Sequence, residues 1–237
     1  MSDFRVKHEV DVHDVDFNGI ARVSSVMRYI QTAAQSQLTA NGMSYDSLKN
    51  ANRAFFISRI KIDLPTAVRA YDRLEAVTYP CESRGYSFLR CYKLMRDEVT
   101  VARAVSVWAL MDIESRSLVR VNDFDLGLPT LAPLDLELSR IKLPTDICEI
   151  GNYRVNYDDA DQNRHMNNTK YPDMYSAFLP LDGKRIRTLT INYAKEAPLG
   201  ACLKVMRAED NGVFLFRTIL EDGSVNSEAE VTLADIE

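Results

Sequence analysis

Residues 159–171 read Asp-Ala-Asp-Gln-Asn-Arg-His-Met-Asn-Asn-Thr-Lys-Tyr, a polar segment that holds one of the three histidines of the chain. Before it, Tyr153, Val155 and Tyr157 alternate with polar residues, which predicts a strand. The apolar residues after it have the spacing of a helix face and are Tyr171, Met174, Tyr175 and Phe178. A polar loop between a strand and a helix brings acidic groups, an imidazole and backbone N–H groups together, so we expect chemistry here.

The N-terminal part of the chain carries a second copy of this arrangement. Residues 10–18 read Val-Asp-Val-His-Asp-Val-Asp-Phe-Asn and align with residues 155–163, Val-Asn-Tyr-Asp-Asp-Ala-Asp-Gln-Asn, at an offset of 145 (155 − 10). Both copies place Asp-x-Asp-x-Asn between a strand and a helix. Further along, Ile62 aligns with Ile191 at an offset of 129 (191 − 62). The second copy is therefore 16 residues (145 − 129) shorter than the first between its helix and its next strand. We therefore predict two tandem structural copies whose sheets join.

Each copy is predicted to contain one helix and several antiparallel strands, which is the α+β class. In the first copy a helix is expected at about 24–38, with Ser24 or Ser25 as its cap and Asn41-Gly42 as its end. The strands of the first copy are expected at about 4–12, 55–64 with an irregularity near 58–59, 74–79, 86–95 and 99–113. In the second copy Asn168 is the expected cap of a helix at about 168–179. The strands of the second copy are expected at about 152–158, 186–194, 201–209, 213–221 and 225–236.

A linker is predicted between the copies. Residues 121–150 contain Pro129, Pro133 and Pro144 and show no clear period. The predicted organisation is an N-terminal repeat over 1–120, this linker over 121–150, and a C-terminal repeat over 151–237.

Composition excludes several classes of protein. The formal charge of −5 argues against a general nucleic-acid binder. None of the four cysteines lies in a CxxC pair, so we expect no zinc site and read them as free thiols of a reducing compartment. No apolar run approaches the roughly 20 residues of a membrane span, and residues 1–5 do not resemble the start of a signal peptide. We expect a cytoplasmic protein without a cofactor.

Calcium binding is one reading of the acidic loops. Asp14, Asp16 and Asn18 match the first half of an EF-hand loop. The twelfth position, which should be Glu, is Ser25 in the first copy and Lys170 in the second. A strand rather than a helix precedes each loop, so we disfavour calcium and expect no metal.

Turn formation and hydrolysis are the other readings. Asp and Asn side chains accept hydrogen bonds from nearby backbone N–H groups, which accounts for the acidic loop of the first copy. That role does not require His165, whose counterpart in the first copy is the apolar Ile20. Asp161, Asn163 and His165 are two residues apart and can share one face of extended backbone. A carboxylate there could activate water or attack a carbonyl carbon, with backbone N–H groups of the next helix start polarising the carbonyl.

The loop also resembles a known family. Residues 159–171 resemble the active-site loop of acyl-acyl-carrier-protein thioesterases, and residues 192–196, Asn-Tyr-Ala-Lys-Glu, resemble the second active-site segment of that family. The matching residues of the N-terminal half are Gln31, Gly42, 60–62, Pro65 and Trp108. The resemblance implies a double hotdog fold, in which each of two repeats wraps an antiparallel sheet around a long helix. It also implies hydrolysis of the thioester of fatty acyl-acyl carrier protein.

Carried over to this chain, the resemblance implies Asp161, Asn163, His165 and Glu196 as the catalytic set. Many plant members of the family have Cys after the glutamate, whereas this chain has Ala197, which favours carboxylate-driven hydrolysis. Our hypothesis is that Asp161 is the base or nucleophile. Asn163 and His165 would orient water and stabilise the oxyanion, and Glu196 would hold or tune the water.

The acyl chain and its carrier protein need their own surfaces. The resemblance implies that the N-terminal half binds the acyl chain, although such apolar residues are also ordinary core residues. The candidate acyl-binding residues are Val23, Met27, Ile30, Phe55, Phe56, Trp108 and Met111. The partner is acyl carrier protein with an acyl chain on 4'-phosphopantetheine; because it is acidic, we expect basic residues to dock it. The candidate docking residues are Arg164, Lys170, Lys184, Arg185 and Arg187.

Three other functions remain open on the sequence alone. They are an acyl-coenzyme A thioesterase, a hotdog 3-hydroxyacyl thioester dehydratase and a non-catalytic acyl-binding protein. The chain could be a monomer, because fused repeats can replace a homodimer, or a homodimer through exposed sheet edges.

Overall fold

A computed structural model describes residues 3–236, so the predicted outer limits at residues 1 and 237 lie outside the described residues. Alternation of apolar and polar residues produces the strands of the N-terminal half. Its elements are β1 (Phe4–Glu9), a 3₁₀ turn (Val12–Asp14), α1 (Val23–Ala40), α2 (Tyr45–Asn50), β2 (Arg53–Asp63), β3 (Arg73–Pro80), β4 (Phe88–Arg96), β5 (Val99–Asp112) and β6 (Leu118–Val119).

The C-terminal half repeats this order in shorter form. Its elements are β7 (Cys148–Arg154), 3₁₀ turns at Tyr157–Asp159 and Asn168–Lys170, α3 (Tyr171–Ser176), β8 (Lys184–Tyr193), β9 (Cys202–Asp210), β10 (Val213–Ile219) and β11 (Val225–Asp235). The predicted strands are confirmed to within a few residues, except that Tyr157 lies in a 3₁₀ turn and β7 begins earlier. Among the described residues, no helix is both long and apolar enough to cross a membrane.

One antiparallel sheet runs through both halves. The strand order is β1-β3-β4-β5-β2-β8-β11-β10-β9-β7, with β6 beside β5. The halves join where β2 pairs antiparallel with β8, which we call the seam. At its centre Lys61 pairs with Thr190, and these two residues are equivalent in the repeat (190 − 61 = 129). A pseudo-twofold axis therefore passes through this pair, and the predicted α+β double hotdog fold is confirmed.

Helix α1 fills the concave side of the N-terminal sheet. Its buried residues recur at helical spacing and include Val26, Met27, Ile30 and Ala33. Burial of each large apolar side chain contributes about 1.5–3 kcal/mol. The helix ends at Asn41-Gly42 as predicted, where Gly42 adopts a φ of 80°.

The predicted serine cap of α1 is wrong. The helix begins at Val23, one residue earlier than expected. Arg22 precedes it and makes no side-chain capping hydrogen bond. Ser24 and Ser25 are buried inside the helix. The Ser24 hydroxyl donates to Asp173 Oδ1 at 2.6 Å, so it contacts the other half of the chain.

Helix α3 is shorter than the helix predicted at 168–179. It spans only six residues, compared with 18 in α1, so much of the repeat's length difference lies in the helix itself. Pro180 follows closely, and a proline disfavours helical backbone in the residue before it. The cap of the preceding 3₁₀ turn is Asn167 rather than Asn168, because Asn167 accepts from the Thr169 N–H.

A bulge in β2 keeps its apolar residues on one face. The pairing with β5 shifts register between Ile57 and Arg59, which confirms the irregularity expected near 58–59. One extra residue restores the alternation. As a result Phe55 and Ile57 pair opposite Leu110 and Trp108 on the same face as the later isoleucines of the strand.

Residues 121–150 cross the outside of the N-terminal sheet. Apart from a 3₁₀ turn at Val121–Asp123 and the first residues of β7 (Cys148–Arg154), which begins inside the predicted linker, they form no helix or strand. Leu134, Leu136 and Leu138 pack on a small buried cluster of Tyr79, Cys81, Cys91 and Val105. The four cysteines are free thiols.

Candidate active site

The loop at 159–171, which we call the C-terminal loop, is a tight turn closed by Asp161. Its Oδ1 accepts from the backbone N–H of Asn163 at 2.8 Å and of His165 at 3.4 Å. The Asp161 N–H donates to His165 O at 2.8 Å. The turn places Arg164 in the left-handed region with a φ of 65°. Asp161 therefore fixes the backbone on both sides of the histidine.

His165 and Glu196 are in contact. Nδ1 of His165 lies 3.3 Å from Oε2 of Glu196, and their side chains are 34% and 53% exposed. The contact requires a proton on Nδ1, which in the neutral ring leaves Nε2 as the hydrogen-bond acceptor. The loop of Glu196 is fixed to the C-terminal loop because Met166 N–H donates to Ala197 O and Leu199 N–H donates to Arg164 O, both at 2.8 Å.

Asn226 holds the backbone that leads to Glu196, and the sequence did not identify it. It is fully buried in β11. Its Nδ2 donates to Lys195 O at 2.6 Å and to the Tyr171 hydroxyl at 2.9 Å. Its backbone carbonyl oxygen accepts hydrogen bonds from the N–H groups of Ala194 and Lys195. The only sequence signal was an asparagine within a strand pattern.

Asn163 is held by the other half of the chain. The Tyr45 hydroxyl on α2 donates to Asn163 Oδ1 at 3.1 Å. This contact occupies one lone pair of the amide oxygen and leaves Nδ2 as a donor. Nearby, Gln31 on α1 donates to Asn168 Oδ1 at 2.8 Å. The C-terminal loop therefore lies against α1 and α2, and Tyr45 is a site residue that sequence reasoning missed.

Several backbone N–H groups at the start of the short helix have partners within the loop. Thr169 N–H donates to Asn167 Oδ1 and Lys170 N–H donates to Asn167 O, both at 2.9 Å. Asn167 N–H donates to Asp159 O at 2.8 Å. These three donors are engaged, so we propose that side chains supply the polarising hydrogen bonds.

The acidic residues of the first copy are engaged with protein groups. Asp14 accepts from Arg28 at 2.6 Å and from the Tyr29 hydroxyl at 2.5 Å. Asn18 does more than form a turn, because its Nδ2 donates to Leu181 O at 2.7 Å and so joins the halves. Over residues 3–236, no group of three or more His, Cys, Asp or Glu is arranged to hold a metal ion.

The candidate acyl-binding residues lie in different environments. Met27 and Ile30 are fully buried, and the gap beside Ile30 has no room for a water molecule. Val23 lines a cleft between the halves. Phe55 makes an edge contact with Phe88 at 5.3 Å. The structure thus gives Met27 and Ile30 the role of close-packed core.

Two members of the predicted basic docking patch have partners within the protein. Arg185 is buried and donates to Leu64 O at 2.7 Å, and Arg187 contacts the buried carboxylate of Asp63. Both belong to β8, a central strand at the seam, so their charges stabilise the junction. Arg164 and Lys184 are exposed and Lys170 is half-buried. Lys184 also pairs with Asp235 at 2.9 Å.

Comparison with known families gives two matches that together span most of the chain. Residues 2–125 match the acyl-ACP thioesterase N-terminal domain, and residues 144–234 match the C-terminal domain of the same family.

Individual relatives agree with these matches. A palmitoyl-acyl carrier protein thioesterase of Arabidopsis thaliana is 22% identical over 86% of this chain and 55% of its own length. The chain thus spans about half the length of that curated relative. A crystal structure of an acyl-ACP thioesterase from Bacteroides thetaiotaomicron superposes with a TM-score of 0.90 at 20% identity, over 98% of each chain. The 12:0-ACP thioesterase of Umbellularia californica gives 0.83 at 17% identity, over 98% of this chain and 97% of its own. These structures share the fold.

Proposed function

Because the chain belongs to the acyl-ACP thioesterase family, we propose that it hydrolyses the thioester between a fatty acyl group and acyl carrier protein. The observation that carries the proposal is the contact between His165 and Glu196 on the loop that Asp161 closes. A thioester hydrolase needs a base for water, a donor for the oxyanion and an acid for the leaving thiolate. The loop offers all three.

His165 is the base in this scheme. With its Nδ1 proton directed to Glu196, Nε2 takes a proton from water as the oxygen attacks the thioester carbonyl carbon. The tetrahedral intermediate breaks its C–S bond, and the imidazolium returns the proton to the departing pantetheine thiolate. The products are the free fatty acid and the carrier thiol. Glu196 keeps the ring in one orientation and stabilises the imidazolium.

Asn163 supplies the oxyanion donor. Since Tyr45 donates to its Oδ1, the Nδ2 group is oriented to donate to the developing negative charge. The N-terminal half thereby contributes to chemistry on the C-terminal half. Removal of one such donor typically costs about 10²–10³ in kcat.

Asp161 has a turn-forming role that its counterpart Asp16 shares. Oδ1 of Asp16 accepts from the N–H groups of Asn18 at 2.9 Å and Ile20 at 3.1 Å, in a loop without a histidine. Asp161 makes the same hydrogen bonds, which favours a role in positioning His165. A second candidate role for Asp161 is that of base or nucleophile, acting through its second carboxylate oxygen.

We assign the carrier protein to the exposed side of the C-terminal loop. Arg164, next to the histidine in sequence, is exposed there, whereas Lys170 lines the cleft between the halves and Arg185 is buried. The N-terminal half, from 1–120, provides Tyr45 and Gln31 against the loop, and we assign it the acyl chain. The free cysteines fit a reducing compartment such as the cytoplasm.

The decisive experiment compares the same acyl group on acyl carrier protein and on coenzyme A. We expect release of thiol and of free acid, with higher kcat/KM on the carrier protein. Higher kcat/KM on coenzyme A would indicate an acyl-coenzyme A thioesterase. An enoyl thioester formed from a 3-hydroxyacyl substrate would indicate a dehydratase, and binding without turnover would contradict the proposal.

A further inference from the structure

The loop of the N-terminal half, residues 14–23, has the same backbone as the C-terminal loop. Asp16 N–H donates to Ile20 O at 2.8 Å, as Asp161 N–H does to His165 O. Ala21 N–H donates to Val68 O at 2.8 Å, as Met166 N–H does to Ala197 O. Three further backbone hydrogen bonds are equivalent in the two halves. The bonds from N–H to carbonyl oxygen in the first half are Gly19 to Asp16, Arg22 to Asp14 and Tyr71 to Val10. Their counterparts in the second half are Arg164 to Asp161, Asn167 to Asp159 and Gly200 to Val155.

These equivalences place Ile20 where the other half has His165 and Ala67 where it has Glu196 (165 − 145 and 196 − 129). Beside them the structure has an open cleft of about 560 Å³ between the halves. Asp16, Ile20 and Ala67 form one wall, and Asp173, Leu181 and Ile186 belong to the other. Its volume lies within the roughly 300–1,000 Å³ of sites that bind small molecules.

The cleft is the pseudo-twofold counterpart of the candidate active site without its acid–base pair. Its floor is apolar, since Ile20, Val23, Leu64 and Ile186 are each less than a tenth exposed. At the rim Phe17 is 77% exposed, an unusual position for a large aromatic ring.

Three of the four carboxylates that line the cleft have partners, and the fourth, Asp158, is exposed. Asp16 closes its turn, Asp159 accepts from the Tyr153 hydroxyl at 2.8 Å, and Asp173 accepts from Ser24 at 2.6 Å. Arg22, Lys170 and Arg185 also line the cleft, so its lining carries no excess of positive charge. Such charges over an apolar floor suit an amphipathic ligand whose polar groups are amides, rather than a small anion.

We propose that the cleft is a second binding site for an acyl-pantetheine arm, which holds the arm and does not hydrolyse it. This inference rests on the proposed function, because the equivalent site in the other half is assigned the same ligand class. Ile20 and Ala67 remove the base and its partner, and they present an apolar surface to the acyl portion. Phe17 covers the arm at the rim.

Calorimetric titration with S-dodecyl pantetheine, a thioether that cannot be hydrolysed, tests the site. We expect two molecules per chain in the unaltered protein and one in Ala67→Trp, whose indole fills the cleft. Ala67→Ser is the matched control and should retain two. Phe17→Ala, at an exposed position, should weaken one of the two sites several-fold without a change in the melting temperature.

Fewer than two molecules bound by the unaltered protein, or two bound by folded Ala67→Trp, would overturn the inference. If Ala67→Trp does not fold, the Phe17→Ala titration decides, and two unchanged sites would overturn it. Hydrolysis of acyl-carrier substrate with only one bound thioether would contradict the second site alone. Two bound thioethers without hydrolysis would contradict the proposed function alone.

Discussion

Nδ1 of His165 lies 3.3 Å from Oε2 of Glu196, whereas the equivalent residues of the other half are Ile20 and Ala67. The duplicated backbone therefore carries an acid–base pair on one side only. The turn closed by an aspartate is common to both halves and does not by itself make a site. We propose that the chemistry of the chain depends on the two side chains that differ.

A double-mutant cycle tests whether His165 and Glu196 act as one unit. We expect His165→Ala to lower kcat on acyl carrier substrate by about 10²-fold or more, since it removes the base. Glu196→Ala should cost about tenfold through misorientation of the ring. The double variant should be no slower than His165→Ala, because residues that act together are non-additive. Multiplicative losses in the steady-state rates would show independent roles.

Asp161 variants separate turn formation from chemistry. Asp161→Asn keeps an oxygen for the Asn163 N–H and should retain activity within about tenfold if the residue positions the loop. Asp161→Ala should lower kcat by about 10²-fold, the loss expected for a misplaced base. Asp16→Ala breaks the same turn in the other half and should leave kcat near the unaltered value. A 10²-fold loss in Asp161→Asn would instead support the direct role of its carboxylate.

Tyr45→Phe tests the contact between the halves. Loss of the hydroxyl frees Asn163 Oδ1, so the amide no longer presents Nδ2 in a fixed direction. We expect kcat to fall about fivefold with little change in KM, because removal of such a hydrogen bond costs about 1 kcal/mol. Tyr157→Phe, at an 89% exposed tyrosine, is the control. An equal effect of both substitutions on kcat would contradict the role of Tyr45.

Asp173 makes stability depend on pH. Burial raises the pKa of this carboxyl, so the folded protein retains its proton at pH values where the unfolded chain has lost it. The stabilisation is complete below the unfolded pKa of about 3.9 and is lost as pH rises through the folded pKa. Asp173→Asn retains an acceptor for Ser24 and carries no charge. We therefore expect Asp173→Asn to have a higher melting temperature than the unaltered protein at pH 7. Near pH 4 this difference in melting temperature should disappear.

Thermal melts from pH 4 to pH 8 provide the measurement. Asp182→Asn changes an exposed carboxylate on the following loop and serves as the control. A melting difference for Asp173→Asn that is constant across this range would show that the carboxyl does not titrate differently on folding.

Arg164 combines backbone strain with a charge near the site. It adopts a φ of 65°, and its counterpart Gly19 adopts 72°. Arg164→Gly should raise the free energy of unfolding by up to about 1 kcal/mol, since glycine adopts this conformation readily. We also expect KM for acyl carrier protein to rise several-fold at low salt and the difference to shrink at high salt. The same KM change on a short soluble thioester would argue against docking.

The sequence predicted the repeat, the strands and the two loops because each depends on local pattern. Alternation located the strands, and the fixed offset between the copies implied the seam where Lys61 pairs with Thr190. Helix α3 was over-extended because Phe178 has helical spacing, yet it packs against the core beyond the end of the helix.

Contacts distant in sequence were beyond pattern analysis. A cluster of arginines normally indicates an exposed face, and only the fold shows that Arg187 contacts Asp63 across the seam. Tyr45 and Asn163 are 118 residues apart, and Asn226 is 31 residues from the Lys195 carbonyl that it holds. Neither pair has a local signature. The contact between His165 and Glu196 was implied by family resemblance, and the spacing alone left Glu196 an ordinary exposed acid.

Release of free thiol from a long-chain acyl-acyl carrier protein, measured in parallel for the unaltered protein and His165→Ala, tests whether the chain hydrolyses this thioester through His165. We expect continuous release with stoichiometric free fatty acid from the unaltered protein. We expect a rate at least about 10²-fold lower for the folded variant. No release by the unaltered protein, or an undiminished rate in His165→Ala, would contradict this expectation.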